Sequence, residues 1–248
     1  MERLVRREKS IAILQSNYIP WKGYFDLIAA VDEFLIFDEV QYTRRDWRNR
    51  NKIVLQGSVK WLTIPVRTKG HLFGSIEEIE TDGHGWAEQH WKTITHAYRR
   101  AAYFGNYEAV LEAAFQRAAS LVRLTDINEL FLRTITGLLH IETPIARANV
   151  VPRTMQLPTD RLVEICLGRQ ATEYVSGPAG RAYIEVEKFG DAQVALSYAN
   201  YSGYPVYEQH ANAFEHGVSI LDVLMRCGPA ARGHLKSPSQ RDSFVNAA

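Results

Sequence analysis

Gln15, Asn17 and Tyr18 follow directly on an apolar run, residues 11–14, and Trp21 opens the next one. Polar groups gathered where a first strand hands over to a first helix can bond a sugar, an amide or a ribose, because amides and hydroxyls both donate and accept. Ligands of open α/β sheets bind at the carboxyl ends of the strands. A second apolar run, residues 34–37, ends the same way in Asp38, Glu39, Val40, Gln41 and Tyr42. If the two strands are parallel, Gln15, Asn17, Asp38 and Gln41 converge on one crevice. Asp38 is the expected general base, since a carboxylate at a strand's end, partly withdrawn from water, can take a proton from an attacking amine. Asp46 is the second such candidate, and Gln41 would orient substrate. The competing role for either carboxylate is a turn cap or a salt bridge to neighbouring arginines.

Arg44, Arg45, Arg48, Arg50 and Lys52 put five positive charges within nine residues, with Trp47 among them. Guanidinium groups bind phosphate oxygens in bidentate fashion, and an interleaved aromatic suits a base or sugar face. Arg50 and Arg45 are therefore expected to hold phosphate; the bland reading of such a run is a solvated face. A diphosphate-linked sugar and an aminoacyl-tRNA acceptor end would each use this segment. Tyr198, Tyr201, Tyr204 and Tyr207 crowd another stretch with Pro205 and Gln209, either a loop closing over the crevice with Tyr207 and Gln209 on the sugar or a satellite core. Trp21 and Tyr24 either stack on a ligand or pack inside. Gly23, lacking a Cβ, lets the helix start approach the strand closely, and a larger residue there should clash.

The elements that would position these groups alternate. Residues 11–14 and 34–37 read as short buried strands around a helix over residues 21–30, the spacing of a βαβ unit. Residues 52–55 and 59–66 read as a hairpin around Gly57, and residues 76–79 as a further short strand. Apolar residues then recur at three- and four-residue spacing, predicting a helical segment over about residues 84–140: two helices joined near residues 104–106 and a third capped by Thr125. Strands are expected at residues 146–151, 173–175 and 194–198, a helix capped by Thr159, and a last helix capped by Ser219 and stopped by Gly228. The fold class is α/β, with a Rossmann-like N-terminal core, a helical middle and a C-terminal α/β portion. Residues 1–9 are expected to fray, residues 10–231 to form one domain, and residues 232–248, rich in polar residues, to be disordered.

Composition narrows the function. The chain has 248 residues, enough for a sizeable single core, and its net charge of +1 excludes a globally basic nucleic-acid binder while allowing a local patch. Cys166 and Cys227 lack ligand spacing, and no apolar leader precedes Ile11, so a reducing cytoplasm is expected. No run approaches the ~18–20 apolar residues that span a bilayer. The eight histidines form no metal or triad pattern; His84, His90 and His96 fall on different helical faces, and no zinc site is expected. No Gly-x-Ser-x-Gly elbow, Walker loop or intact dinucleotide fingerprint is present, which leaves the cofactor unknown.

In its residues 15–25, 38–41, 46–51, 60–62, 97–104, 174–177, 205–209 and 219–222, the chain resembles the WbqC-like family of bacterial proteins, over nearly its whole length. The family usually has Pro where this chain has Ser16, which is expected to loosen one turn. The resemblance implies a place among proteins that make O-antigen and related surface sugars, and transfer of glycine onto a sugar. It also brings Asn49 and Ser176 into the expected substrate site, and it singles out Arg50. A more distant resemblance, to pantothenate synthetase and its nucleotidylyltransferase relatives, concerns fold. Their His-x-Gly-His lies where Trp21-Lys22-Gly23-Tyr24 lies here, with both histidines replaced by aromatics. The expected function is acyl transfer, of glycine or another small amino acid, to the amine of a nucleotide-linked amino sugar. The alternatives are an ATP-dependent nucleotidylyltransferase or amide ligase, and a non-catalytic carbohydrate- or RNA-binding module.

Overall fold

The computed structural model describes residues 8–68, 74–236 and 244–246. In chain order the elements are β1 (Ser10–Leu14), α1 (Lys22–Ala29), β2 (Glu33–Ile36), β3 (Arg50–Leu55), β4 (Ser58–Thr63), β5 (Val66–Arg67), β6 (Glu80–Thr81), α2 (Gly85–Tyr98), α3 (Phe104–Ala118) and α4 (Leu124–Leu138). Then come β7 (Ile145–Arg147), α5 (Pro158–Gly168), β8 (Glu173–Ser176), α6 (Val186–Asp191), β9 (Ala195–Ala199), α7 (Ile220–Cys227) and β10 (Phe244–Asn246).

The central sheet runs β7-β2-β1-β8-β9, all parallel, with β10 added antiparallel to β9. Counted in chain order these five strands lie 3-2-1-4-5, the doubly wound order, so the Rossmann-like expectation is met. Side chains alternate across the sheet as a period of two requires. Ala12, Phe34 and Ile36 enter a core with α1, the helical middle and α7, while Ile11, Ile13 and Leu35 enter a second core with α5 and α6. The strands are thus covered on both faces, and β1 and β2 read as continuous apolar runs for that reason.

Several local expectations are corrected. Residues 76–79 form no strand: Ile76–Glu78 is a 3-10 turn held by a capping box, with Ser75 N–H donating to Glu78 Oε2 at 2.7 Å. The expected strand 59–66 is cut after Thr63: Ile64 N–H still bonds the Asn49 carbonyl, but Pro65 has no donor to continue the ladder. The strand expected over 146–151 is β7 followed by a 3-10 turn, Ala148–Val150. Residues 104–106 lie inside the first turn of α3; the joint precedes them, where Tyr103 N–H bonds the Met225 carbonyl. Thr125 caps nothing, because α4 starts at Leu124 and the Thr125 hydroxyl donates to Asp38. In α5 the N-cap is Leu157, with Pro158 as first helical residue, so Thr159 lies inside the helix. Ser219 does cap α7, and Gly228 ends it at φ +54°.

At the chain ends, Lys9 pairs with Glu33 at 2.8 Å, and residues 1–7 lie outside the described residues. Within the expected tail, Arg232 and His234 belong to a 3-10 segment, Gly228–His234, and Leu235 is buried. Residues 237–243 and 247–248 lie outside the described residues. Among the described residues no helix is long and apolar enough to cross a membrane.

Candidate functional site

In the 3-2-1-4-5 order, β1 leads to one side of the sheet and β8 to the other, so the topological switch lies between their carboxyl ends. Gln15 and Asn17 leave β1 there; Ser176 and Gly177 leave β8. The turn from β1 into α1 is strained: Ile19 stands at φ +40°, where a β-branched side chain is disfavoured. It is held by Asn51 Nδ2, which donates to the carbonyls of Tyr18 (3.1 Å) and Ile19 (2.7 Å). Arg48 Nη1 donates to Asn17 Oδ1 at 2.6 Å and to the Ser16 carbonyl at 3.1 Å, setting one guanidinium at the switch.

The tips of β1 and β2 are neighbours, in register Leu14 to Ile36, yet Asp38 does not face an open crevice. Only 4% exposed, it accepts from Ser16 N–H at 2.8 Å, from the Ser16 hydroxyl at 2.6 Å and from the Thr125 hydroxyl at 2.6 Å. Asn128 Nδ2 then bonds Ser16 Oγ and the Arg48 carbonyl, both at 2.9 Å. Asp38 is the knot tying β1, β2 and α4 together, with its oxygens committed to donors inside the fold. Ser16 is part of that knot: a proline there would supply neither the N–H nor the hydroxyl, so the departure from the family tightens the turn instead of loosening it.

Other expected contacts also turn inward. The Tyr18 ring is fully buried against Trp86 and Phe131, with its hydroxyl 2.9 Å from His90 Nδ1; burial holds His90 down near 4, a neutral imidazole. Tyr24 packs on Phe34 and gives its hydroxyl to the Gln15 carbonyl at 2.9 Å. Asn49 is buried and bonds the Ile64 carbonyl. Asp46 caps its own turn, accepting from the Thr43 hydroxyl and Trp47 N–H. Partial burial would raise its carboxyl, but those two bonds and the Arg48 and Arg50 charges hold it below its usual range, which suits a base poorly. Gln209 clamps its loop through Glu215, and Ser176 is buried, donating to the Gly177 carbonyl. The exposed Gln41 pairs its backbone with Ser75, away from the switch.

The basic segment meets the hairpin in a cluster of rings and cations. Trp47 and Trp61 lie 5.4 Å apart and are 38% and 39% exposed, with the Arg50 guanidinium 4.2 Å over the Trp61 ring. Lys52 reaches both rings and pairs with Glu215 at 3.0 Å. Arg44 and Arg45 are exposed on the preceding turn, Arg45 at φ +58°.

The sequence reading passed over Lys22. It is 2% exposed, donates to the Pro205 carbonyl at 3.0 Å, and its ammonium lies 5.2, 5.4 and 5.6 Å from the ring centres of Tyr204, Tyr207 and Phe214. No carboxylate forms an ion pair with it among the described residues. Burial lowers its pKa to about 8 against the opposing pull of Cys227 and Asp222. One helical turn on, Asp26 accepts from the Tyr204 hydroxyl at 2.8 Å, while its Oδ1 is buried with no partner among the described residues. Burial raises Asp26 to about 6, opposed by the Tyr204 hydrogen bond and the Lys236 and Arg232 charges. Tyr207 closes the cluster, donating to the buried Asp222 at 2.8 Å. A lysine pushed down and a carboxyl pushed up on one helix face mark a candidate acid–base site. Lys22 sits on a helix-forming run and reads there as a surface residue; only the loop that folds over it makes it unusual.

That loop links the two regions. Tyr201 packs edge-on to Trp21 (5.0 Å between centres), and its hydroxyl lies 3.7 Å from where a Cβ on Gly177 would stand. Tyr204 packs on Trp21 as well, at 5.5 Å. Trp21 is thus part of the loop's seat, and Gly23 is what makes room for it: a Cβ there would come within 2.3 Å of the indole. The close neighbour is this ring, and not the strand that the sequence suggested. Gly23→Ala is expected to lower stability by about 1–3 kcal/mol and to shift tryptophan fluorescence as the indole leaves its seat; an unchanged thermal midpoint would contradict this packing.

Among the described residues no group of three His, Cys, Asp or Glu side chains is placed to hold a metal ion. Cys166 is buried, and burial pushes its thiol up to about 12, the opposite of an activated nucleophile.

No solved structure matches the chain. An uncharacterized protein of Mycobacterium tuberculosis (strain ATCC 25618 / H37Rv), Rv1507c, is 40% identical over 228 residues, covering 92% of this chain and 98% of the relative. The pattern of the WbqC-like protein family matches residues 15–234, from the first residue past β1 to the 3-10 segment after α7 and so across the switch, the basic-aromatic face and the Lys22 cluster alike: the chain belongs to that family.

Proposed function

We propose that this protein transfers an acyl group, glycine or another small amino acid, to the amine of a nucleotide-linked amino sugar or a comparable biosynthetic intermediate. Family membership is compatible with an enzyme. The observation that carries the reading further is the pair of oppositely shifted groups, Lys22 and Asp26, under the tyrosine loop beside the sheet's switch point. Amide formation needs the acceptor amine deprotonated as it attacks the acyl carbonyl. A neutral lysine amine, available in quantity near pH 8, takes that proton, and the donor's leaving group departs with the bonding pair. In this reading Gln15 and Asn17 read the sugar's hydroxyls, with the backbone of Gly177 opposite. Trp47, Trp61 and Arg50 take the base and phosphates of the nucleotide, with Arg45 on the turn beyond. Tyr201 to Tyr207 fold down over the complex and exclude water. Asp38, whose oxygens are committed elsewhere, holds the strands in place and is not the base.

The test gives purified protein an activated glycine donor, as an aminoacyl-tRNA or a thioester, with nucleotide-linked amino sugars, and reads the amide by mass spectrometry beside a known amide-forming transferase. Amide in both reactions supports the reading; amide from the reference enzyme alone, across the panel, overturns it. Nucleotide sugars and aminoacyl-tRNA are cytoplasmic, so the reading carries that location with it.

A second reading, binding of carbohydrate or RNA without turnover, draws on the exposed Trp47–Trp61 pair and its cations. Stacking on two such rings serves single-stranded RNA as readily as a nucleotide. It gains if RNA or sugar binds tightly, Trp61→Ala abolishes that binding, and no amide forms.

A further inference from the structure

A second concavity lies apart from the switch point. The turn of the β3–β4 hairpin, the last turn of α2 with residues 99–101, the end of α7 and His210 enclose a cleft of about 600 Å³, within the size range of small-molecule sites. Arg99, Arg100, Arg226, His96 and His210 line it, and no Asp or Glu does. Arg226 is committed to Asp222 at 3.1 Å, and His210 to Glu208 at 2.8 Å. Arg99 and Arg100 are exposed and form no ion pair among the described residues. Val54, Leu55 and Ala97 supply apolar lining.

Its walls are fixed. Val54 N–H donates to the buried Tyr98 hydroxyl at 3.2 Å. The hairpin turn, with Gln56 at φ +52° and Gly57 at φ +78°, is bolted to the long loop by Asn212 N–H bonding the Gly57 carbonyl at 2.8 Å. A Cβ on Gly57 would come 2.8 Å from Asn212 Oδ1, so this closure depends on glycine. The Arg226 guanidinium lies 5.6 Å over the Tyr98 ring, set by the same contacts.

We propose that this cleft binds an organic phosphate of nucleotide size, its phosphates on Arg99, Arg100 and His96 and its organic part against Val54, Leu55 and Ala97. Guanidinium groups without internal carboxylate partners are suited to bidentate phosphate contact. The cleft's volume is that of a small-molecule site. The site stands independently of acyl transfer and would serve a donor or an effector.

The experiment titrates the full chain with inorganic pyrophosphate and with uridine diphosphate by calorimetry, in the unaltered protein, in Arg99→Ala/Arg100→Ala and, as a control at two exposed arginines away from the cleft lining, in Arg117→Ala/Arg123→Ala. Expected is binding of both probes, tighter for the nucleotide, weakened at least roughly tenfold in the first variant and little changed in the second. Arg100→Glu alone supplies the same comparison if the double variant folds poorly. No binding at millimolar probe overturns the proposal, as does an equal loss of affinity in Arg117→Ala/Arg123→Ala. So does a lower thermal midpoint in Arg99→Ala/Arg100→Ala with affinity unchanged, since the two arginines would then serve only the carboxyl-terminal dipole of α2. A single-stranded RNA oligomer that binds through Arg99 and Arg100 when neither small probe does would also overturn it.

Discussion

Lys22→Met is expected to cost at least about a hundredfold in transfer rate, the usual contribution of a positioned proton acceptor, while leaving the protein more stable at neutral pH. The side chain's length and apolar stem are kept, so Tyr204, Tyr207 and Phe214 lose a cation and no packing partner. The folded-state amine gives up its proton near pH 8, against an ordinary value of 10.5. Between those values the unfolded chain binds more protons than the native one, so native stability climbs as pH rises through that window. Below it the buried charge is a standing cost, about 1–2 kcal/mol after allowing for partial solvent screening, and methionine removes it. The rate of the unaltered protein should rise with pH toward a plateau above about 8. A Met variant that turns over normally, or a pH–rate profile with no step in that range, would remove Lys22 from the reaction. A variant both slower and less stable would make the lysine a packing strut.

Asp38→Asn has the opposite signature. Two hydroxyls and one N–H converge on this carboxylate, and an amide in its place turns its own donor against one of them. Breaking a buried network of this kind costs about 3 kcal/mol or more, a large part of the roughly 5–15 kcal/mol that holds a domain folded. Chemical denaturation should show the loss directly. Urea midpoints for Asp38→Asn and for Thr125→Val are expected to fall together, and binding at the switch to fall with them, because Ser16 and Arg48 are oriented through the same network. If Asp38→Asn keeps its midpoint and loses only turnover, the carboxylate is the base after all, and Lys22 is not.

Much of the fold was legible because it is written in short-range pattern. Residues 11–14 and 34–37 are apolar without alternation, which strands covered on both faces require, and the three- and four-residue spacing after Trp86 became α2, α3 and α4. The sequence misplaced those groups whose role depends on distant partners. Thr125 has the chemistry of an N-cap, and only the position of Asp38, far back in the chain, diverts it. Tyr18 and Tyr24 have the chemistry of ligand contacts, and only the helical middle and β2 that cover them make them core. Lys22 and Asp26 carry no local signal at all. Their shifted acidity comes from burial under a loop, carrying Tyr204, Pro205 and Tyr207, that has no periodicity from which its course could be read.

The 3-2-1-4-5 order has a consequence for how the molecule is born. The crevice lies between β1 and β8, and the first contact joining them in space, Lys9 N–H to the Thr172 hydroxyl, spans 163 positions of chain. Pairings of such long range form late and slowly, after nearer contacts have collapsed. On the ribosome the emerging polypeptide can dock β1, β2 and the helices that follow, but its opening strand keeps one bare flank until the segment around Tyr174 arrives. Chaperone capture and misassembly should therefore concentrate on that flank, and ligands that need both strands can bind only once synthesis has passed it.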